Sequence, residues 1–309
     1  MEKMLISGGN GFLGSHLADK AISQGLTVTI LDDFSTSNHV NVPSEATIVR
    51  GRVEDVTIED NFEYIVHLAA RPSPEDYINN PVETLMSNSM GTMKLLELAM
   101  KRKSRFIYTS SSEVYGNAEV LPTPETYYGY VSSWGIRSCY DEGKRYSEAL
   151  TMAYHRKFGL DTRIQRPFNV YGPRIRADGL YGRVVPRFIQ QALCGEKLTI
   201  HGDGKQTRSF LYVDDWIEAT WRMITMEGLD GDIFNIGSTD EITILELANL
   251  ILKMTGSSSK TVHVEKREDD PVRRSADISK AKNVLGWRPK ISLDKGLHET
   301  IDWIRGDVK

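Results

Sequence analysis

Met4-Leu5-Ile6-Ser7-Gly8-Gly9-Asn10-Gly11-Phe12-Leu13-Gly14 decides how the rest of the chain is read. Met4-Leu5-Ile6-Ser7 has the continuous apolar character of a short buried strand, and a helix is expected over about 15–24. Between them Gly8, Gly11 and Gly14 follow the spacing G-x-x-G-x-x-G. Glycines at such a turn let the chain bend sharply, let backbone approach a pyrophosphate, and let helix pack closely on strand. The helix N-terminus adds free N–H groups and the positive end of a dipole. A glycine triplet alone is weak, and the strand before it and helix after it give it meaning. Thr27-Val28-Thr29-Ile30-Leu31 reads as a second strand, ending in Asp32-Asp33. A carboxylate there binds the adenosine ribose hydroxyls and repels a 2′-phosphate, so NAD is expected rather than NADP. The plainer alternative is a pair of acidic turn residues.

Working outward, Thr47-Ile48-Val49-Arg50 and Tyr64-Ile65-Val66-His67-Leu68 look like strands three and four. The fourth ends in Ala69-Ala70, small enough for a cofactor to lie against the backbone, and His67 reads as a packed strand residue. Arg71 to Tyr77 reads as a loop. From Pro81 to about Lys101, Leu85, Met86, Met90, Leu95, Leu96 and Leu98 recur at helical spacing. Phe106-Ile107-Tyr108-Thr109 is a fifth strand, followed by Ser110-Ser111-Ser112-Glu113-Val114-Tyr115-Gly116. Hydroxyls and a carboxylate at the C-terminal end of a parallel strand face the crevice where ligands bind. Thr162 to Pro167 makes a sixth strand. Strands alternating with helices at this rhythm predict an α/β fold, a doubly wound parallel (Rossmann) sheet. After Asn169-Val170-Tyr171-Gly172-Pro173-Arg174 the texture turns to Gly, Arg and turn residues. Gly202 to Arg208 reads as a loop, and a further helix is expected to begin at Tyr212-Val213-Asp214-Asp215. The expected division is a dinucleotide-binding domain over 1–170, with parts of 211–237 packing back on it, and a smaller C-terminal substrate-binding lobe mainly over 171–309.

The chemistry centres on Arg137-Ser138-Cys139-Tyr140-Asp141-Glu142-Gly143-Lys144-Arg145, read as helical through to Phe158. Residues four apart share a helix face, so Tyr140 and Lys144 point the same way. A neighbouring ammonium favours the phenolate, and such a Tyr can take or return a hydroxyl proton near neutral pH. The alternative is a surface helix with an incidental Tyr and Lys.

Composition narrows the setting. The 309 residues are 40% hydrophobic and 26% charged with net charge −4, which gives no argument for nucleic acid or a membrane surface as partner. Two cysteines, Cys139 and Cys194, are too few for a disulfide framework and suit a reducing compartment. Cys139 is expected to be a buried apolar thiol. The sequence shows no charged-then-apolar leader and no 18-residue apolar run, so a cytoplasmic chain is expected. No metal site is expected. Glu265 to Arg274 is a mixed charge run, by default a solvated loop.

These pieces together resemble the extended short-chain dehydrogenase/reductase (NAD-dependent epimerase/dehydratase) family of nucleotide-sugar enzymes. The resemblance rests on the glycine turn, Asp32, the stretch from Ser111 to Gly116, Tyr140 with Lys144, and Arg166-Pro167-Phe168-Asn169-Val170-Tyr171-Gly172-Pro173. It continues through Arg208-Ser209-Phe210-Leu211-Tyr212-Val213-Asp214-Asp215, Asn235-Ile236-Gly237 and Leu285-Gly286-Trp287. It implies Tyr140 as base and Lys144 on the nicotinamide ribose, with Ser111 bonding the hydroxyl being oxidised. It implies NAD against Gly8, Gly11, Phe12, Leu13, Gly14, Asp32, Asp33, Leu68, Ala69, Ala70, Ser110, Tyr140, Lys144 and Pro167. It implies a UDP-sugar against Tyr77, Ser111, Asn169, Arg183, Val184, Arg208 and Arg274, and a homodimer through the two helices over 81–101 and 137–158.

Within the family the chain looks most like the UDP-glucuronate decarboxylases (UDP-xylose synthases). Three stretches carry this: the Tyr140 helix from Arg137 to Arg145, Asp269-Asp270-Pro271-Val272-Arg273-Arg274-Ser275-Ala276-Asp277-Ile278, and Ser112-Glu113 before Val114. Epimerases of the family have small or hydroxyl residues at Glu113, and 4,6-dehydratases carry an Asp-Glu pair where this chain has Ser112-Glu113. The implied catalytic set is Ser111, Ser112, Glu113, Tyr140 and Lys144. The alternative activity is a UDP-sugar 4-epimerase acting on a hexose or hexuronate; a non-catalytic NAD-binding regulator is a third reading. Two departures stand out. Gly51-Arg52 replaces the Gly-Asp whose Asp contacts adenine, leaving Asp55 or the backbone for that contact. Ser132-Ser133-Trp134-Gly135-Ile136 replaces an Asn-Pro-x-Gly loop.

Overall fold

The computed structural model describes residues 1–36, 41–177, 183–265 and 273–307, and the elements below are those of the described residues. In chain order they begin β1 (Lys3–Ser7), α1 (Phe12–Ser23), β2 (Thr27–Asp32), β3 (Thr47–Arg50), β4 (Tyr64–His67), α2 (Pro74–Asn79), α3 (Pro81–Arg102) and β5 (Arg105–Thr109). A 3₁₀ turn, Ser112–Tyr115, precedes α4 (Ser138–Phe158), β6 (Thr162–Pro167), β7 (Val170–Tyr171), α5 (Val184–Leu193), β8 (Leu198–His201), β9 (Thr207–Ser209) and β10 (Leu211–Tyr212). The chain continues through α6 (Val213–Thr225), β11 (Asp232–Ile236), β12 (Glu241–Thr243), α7 (Ile244–Thr255), β13 (Thr261–Val264), β14 (Arg273–Arg274), α8 (Ser279–Leu285) and α9 (Leu293–Asp307).

Seven strands form one sheet in the order β11-β6-β5-β4-β1-β2-β3. From β3 to β6 the registers are parallel. This is the doubly wound α/β arrangement expected from the sequence. Chain order reverses between β1 and β4, and the crevice outside the carboxyl ends of strands at such a switch is where ligands bind. Strands covered on both faces read as unbroken apolar runs, and β1, β2 and β5 are each buried along at least four consecutive residues.

The chain divides into two compact units. The first comprises Met1–Val114, Val131–Pro167 and Ile217–Phe234; the second comprises Tyr115–Tyr130, Phe168–Trp216 and Asn235–Lys309. In the first, Leu5, Ile65, Leu95, Leu96, Phe106 and Ile164 lie in the core. Helices α3 and α4 pack closely because Gly143 has no side chain: a Cβ there would stand 3.0 Å from Cβ of Asn88. Helix α4 ends at Gly159, whose φ of 65° suits glycine. In the second, Asn235 is a knot: its Oδ1 accepts from the Tyr115 hydroxyl at 2.7 Å, and its Nδ2 donates to the Thr123 carbonyl at 2.9 Å. No helix among the described residues is long and apolar enough to cross a membrane.

Several local expectations need correction. Helix α1 starts at Phe12, not Ser15, with Gly11 as its N-cap. Phe12, Leu13 and Gly14 are thus its first turn, and Gly14 is tolerated there because it faces backbone. The stretch ending in Tyr77 is not all loop: Ser73 and Pro74 start α2, proline being suited to a first helical turn. Thr207 and Arg208, read as loop, belong to β9, where β12 and β14 pair with them from either side. Cys139 is half-buried rather than buried, and its thiol donates to the Tyr77 carbonyl at 3.5 Å. The stretch Asp269-Asp270-Pro271-Val272 lies outside the described residues, as does most of the mixed charge run.

Candidate functional site

In the first unit the glycine turn is built so tightly that side chains would not fit. Gly8 has φ 74°, and a Cβ on it would stand 2.7 Å from the backbone N of Ala69; one on Gly14 would stand 2.2 Å from the Gly8 carbonyl oxygen. Gly11 is freer, its nearest neighbour being 3.2 Å away. Gly9, not singled out from the sequence, is as constrained, since a Cβ would meet Ile30 at 2.6 Å. The N-cap of α1 is Gly11, which has no side chain to occupy the first N–H groups of the helix, and such an N-terminus is of the kind a pyrophosphate binds. Leu68, Ala69 and Ala70 follow β4 directly, Leu68 donating to the Ser7 carbonyl at 3.0 Å.

Asp32, at the end of β2, accepts from the N–H of Asn10 at 2.9 Å and of Phe34 at 2.8 Å. Burial raises its carboxyl affinity for the proton, and these two backbone bonds oppose the rise. Each oxygen keeps further lone pairs, which suits a ribose diol. Asp33 is committed elsewhere, to the N–H and hydroxyl of Ser35 at 3.0 and 2.6 Å. Arg52 is held by Glu54 at 2.9 Å, and Asp55 is exposed. The cradle and Asp32 fit a dinucleotide.

Helix α4 carries the second group. Tyr140 is buried, and the Lys144 ammonium lies 5.9 Å from its ring centroid, on the same face. Lys144 Nζ donates to the Thr109 carbonyl at 2.8 Å. Burial pushes the ammonium down to about 7, and the Glu148 carboxylate one turn on opposes this. Ser110, after β5, has a buried hydroxyl oxygen without a hydrogen-bond partner in the structure.

His67 is a structural residue, as its strand position predicted. Its Nδ1 meets the Ser7 hydroxyl at 2.6 Å and its Nε2 the Thr92 hydroxyl at 3.1 Å. Burial, then Lys144, lowers its imidazole to about 3. Thr92 meets Ser147 of α4 at 2.9 Å. A buried hydrogen-bonded chain therefore ties the Tyr140 helix to the strand that feeds the glycine turn.

The third group joins Ser111, Ser112, Glu113 and Tyr77, all expected from the sequence, to Arg137, which the sequence did not single out as a site residue. Ser111 Oγ accepts the Glu113 N–H at 3.2 Å, and Ser112 is buried. Glu113 forms an ion pair with Arg137, 24 residues later. Arg137 Nε also lies 3.5 Å from Asp141, and its guanidinium sits 5.9 Å over the Tyr77 ring. That ring stacks on Tyr140 at 5.8 Å and 26°. Burial raises the Tyr77 phenol well above its ordinary range, with Arg137 opposing. Ser111, Ser112, Glu113, Tyr77, Tyr140 and Lys144 are thus all in the first unit.

The second unit holds the other predicted residues. Arg208 and Arg274 are register partners in the parallel β9–β14 pair, and both are largely buried. Arg273, the next side chain along β14, is committed to Glu241 at 2.7 and 2.8 Å, which holds that carboxyl down at about 2. Alternation along a strand sends neighbouring side chains to opposite faces, so Arg274 shares a face with Arg208. Two largely buried arginines at one register position suit an oxyanion. Asn169, with φ 42°, donates to the Ser209 carbonyl at 2.9 Å. Arg183 is the exposed N-cap of α5 and Val184 its first residue, an element apart from the arginine pair. Pro167 closes β6.

Residues 4–237 match the NAD dependent epimerase/dehydratase family. UDP-glucuronic acid decarboxylase 4 of Arabidopsis thaliana is 45% identical over 301 residues, covering 96% of this chain and 67% of that protein. Among solved structures, UDP-glucose 4-epimerase of Thermotoga maritima with UDP-glucose superposes with TM-score 0.91 at 33% identity, covering 99% of this chain and all of that one. MoeE5 in complex with UDP-glucuronic acid and NAD gives 0.88 at 27% identity, covering 99% of both. With a family match running from β1 to the end of β11, over a glycine cradle and a buried Tyr140–Lys144 pair, the chain belongs to the NAD-dependent epimerase/dehydratase family.

Proposed function

We infer that this chain is a UDP-glucuronate decarboxylase that forms UDP-xylose with NAD recycled in each turnover. The observation that carries this is 45% identity to a UDP-glucuronic acid decarboxylase over 96% of the chain, and the ion-paired Glu113 beside the Tyr77–Tyr140 stack agrees with it. Gly8, Gly11, Phe12, Leu13, Gly14, Asp32, Ala69, Ala70 and Ser110 hold the cofactor. When bound, NAD supplies a two-electron acceptor and donor for the sugar's C4.

Tyr140 takes the C4 hydroxyl proton and later returns it, Lys144 stabilising its phenolate. Ser111 orients that hydroxyl, and Ser112 and Glu113 position the sugar or a water. Once C4 is a ketone it stands β to the C6 carboxylate. The C5–C6 bond can then break, carbon dioxide leaves, and its bonding pair remains in an enolate that is protonated at C5. Arg208 and Arg274 bind the substrate, Arg274 either holding the diphosphate or shaping the carboxylate pocket. Incubation with UDP-glucuronate should release carbon dioxide and yield a pentose nucleotide. A product of unchanged mass would instead identify a 4-epimerase, which needs the same Tyr140 and Lys144 but no carbon loss.

The working form is a homodimer through α3 and α4. Val82, Leu85 and Met86 on α3 and Tyr146 on α4 are 67%, 42%, 39% and 47% exposed, an apolar face that a second copy would cover. Light scattering at micromolar concentration should give twice the chain mass, and a monomer would refute the assignment. Two free thiols fit a reducing cytoplasm; recovery of the native protein only from a secreted fraction would contradict it.

A further inference from the structure

We propose that Arg137 is a positioning residue for the decarboxylation, holding the Glu113 carboxylate in place as an anion and coupling it to the Tyr77–Tyr140 stack. This rests on the functional reading above.

Arg137 occupies the N-cap of α4, with no side-chain cap bond. Helix energetics alone would not select it, since an N-terminus favours a capping oxygen and disfavours a cation. What it makes instead are tertiary contacts. Its guanidinium reaches Glu113 across 24 residues of sequence, and their side chains are only 19% and 21% exposed. The same guanidinium lies against Asp141, whose side chain is 9% exposed, and over Tyr77. Glu113 is fixed at both ends: its backbone N–H by Ser111 and its carboxylate by Arg137. A planar fork is suited to holding a carboxylate in one orientation, which an ammonium does less well.

The charged and titratable groups around the pair include Asp141, Tyr140 and Arg145 from α4 and Tyr77 from α2, Arg145 donating to the Val114 carbonyl at 3.1 Å, with Lys144 one turn beyond Tyr140. Among these, Arg137 is the cation in direct contact with Glu113. Without it, Glu113 would lose the guanidinium it is paired with and keep the Asp141 carboxylate in the region. Its proton affinity would then rise. A protonated Glu113 donates where the anion accepts, so the acid limb of turnover would move to higher pH.

The test uses the full chain labelled with carbon-13 at the glutamate carboxyl, with the Glu113 signal identified by its loss in Glu113→Gln. In an NMR titration, Arg137→Met should raise the Glu113 midpoint by about one unit or more, with Arg137→Lys intermediate. An unchanged midpoint in Arg137→Met would overturn the proposal. This readout needs no turnover, so it stands apart from the functional reading, which fails by itself if the wild-type chain releases no carbon dioxide. In the decarboxylation assay, Arg137→Met should lower kcat by about 10- to 100-fold at neutral pH with KM near the wild-type value, and shift the acid limb upward. Arg137→Lys should recover part of the rate. The Arg137→Met/Glu113→Gln double variant should be no slower than Glu113→Gln. A raised KM with unchanged kcat would make Arg137 a substrate ligand and overturn the proposal. Additive losses accompanied by a lowered Tm would assign it a purely structural role and do the same.

Discussion

Lys144 and Arg137 are cations on one helix, seven positions apart, and their surroundings differ. Lys144 is buried on a backbone carbonyl, with a single carboxylate one turn away, and burial brings its ammonium to about 7. Arg137 stands between two carboxylates and above an aromatic ring. The first environment opposes the charge through burial; the second holds a cation between carboxylates. On the proposed function, oxidation at C4, common to epimerisation and decarboxylation, belongs to the Lys144 side. On the same proposal, the Glu113–Arg137 side separates the two outcomes. A shared first step and a divergent second step, on that proposal, use opposite ends of about two helical turns.

Tyr140→Phe should break that division most severely. It removes the group both reactions require, so turnover of any UDP-sugar should fall by on the order of 10²–10⁴. Glu113→Gln should instead spare NAD binding while pentose formation falls steeply. Equal rates for Glu113→Gln and wild type, measured by pentose nucleotide formed, would erase the contrast. The smallest effect concerns stability. A buried lysine whose folded pKa lies near 7 against an ordinary 10.5 binds fewer protons when folded across that window, so its contribution becomes more favourable as pH rises through it. Cofactor-free Lys144→Met should therefore have a Tm at or above the wild-type value at pH 7, with the difference shrinking towards pH 9. A Tm well below wild type at pH 7 would mean that the Thr109 hydrogen bond outweighs the burial of charge.

The parts legible in the sequence were those set by local spacing. The glycine turn, Asp32 and the four-residue step from Tyr140 to Lys144 each lie within one turn or one helix face, and strand β6 was read to the residue. Helix α1 was begun three residues late because glycine disfavours helix in general, whereas Gly14 sits where only backbone fits beside it. The short helix that carries Tyr77 is hard to see locally because Pro72 and Pro74 are typical of loops, whereas Pro74 stands at N1, where proline starts a helix. The Arg137–Glu113 pair and the Arg208–Arg274 register could not be read at all. Their members lie 24 and 66 residues apart, and only tertiary structure joins them.

The central claim is that carbon is lost from the sugar. Supplied with UDP-glucuronate labelled with carbon-13 at C6, the wild-type chain should release the label as carbon dioxide and leave an unlabelled UDP-pentose in equal amount. Label retained in a nucleotide hexuronate would contradict the account.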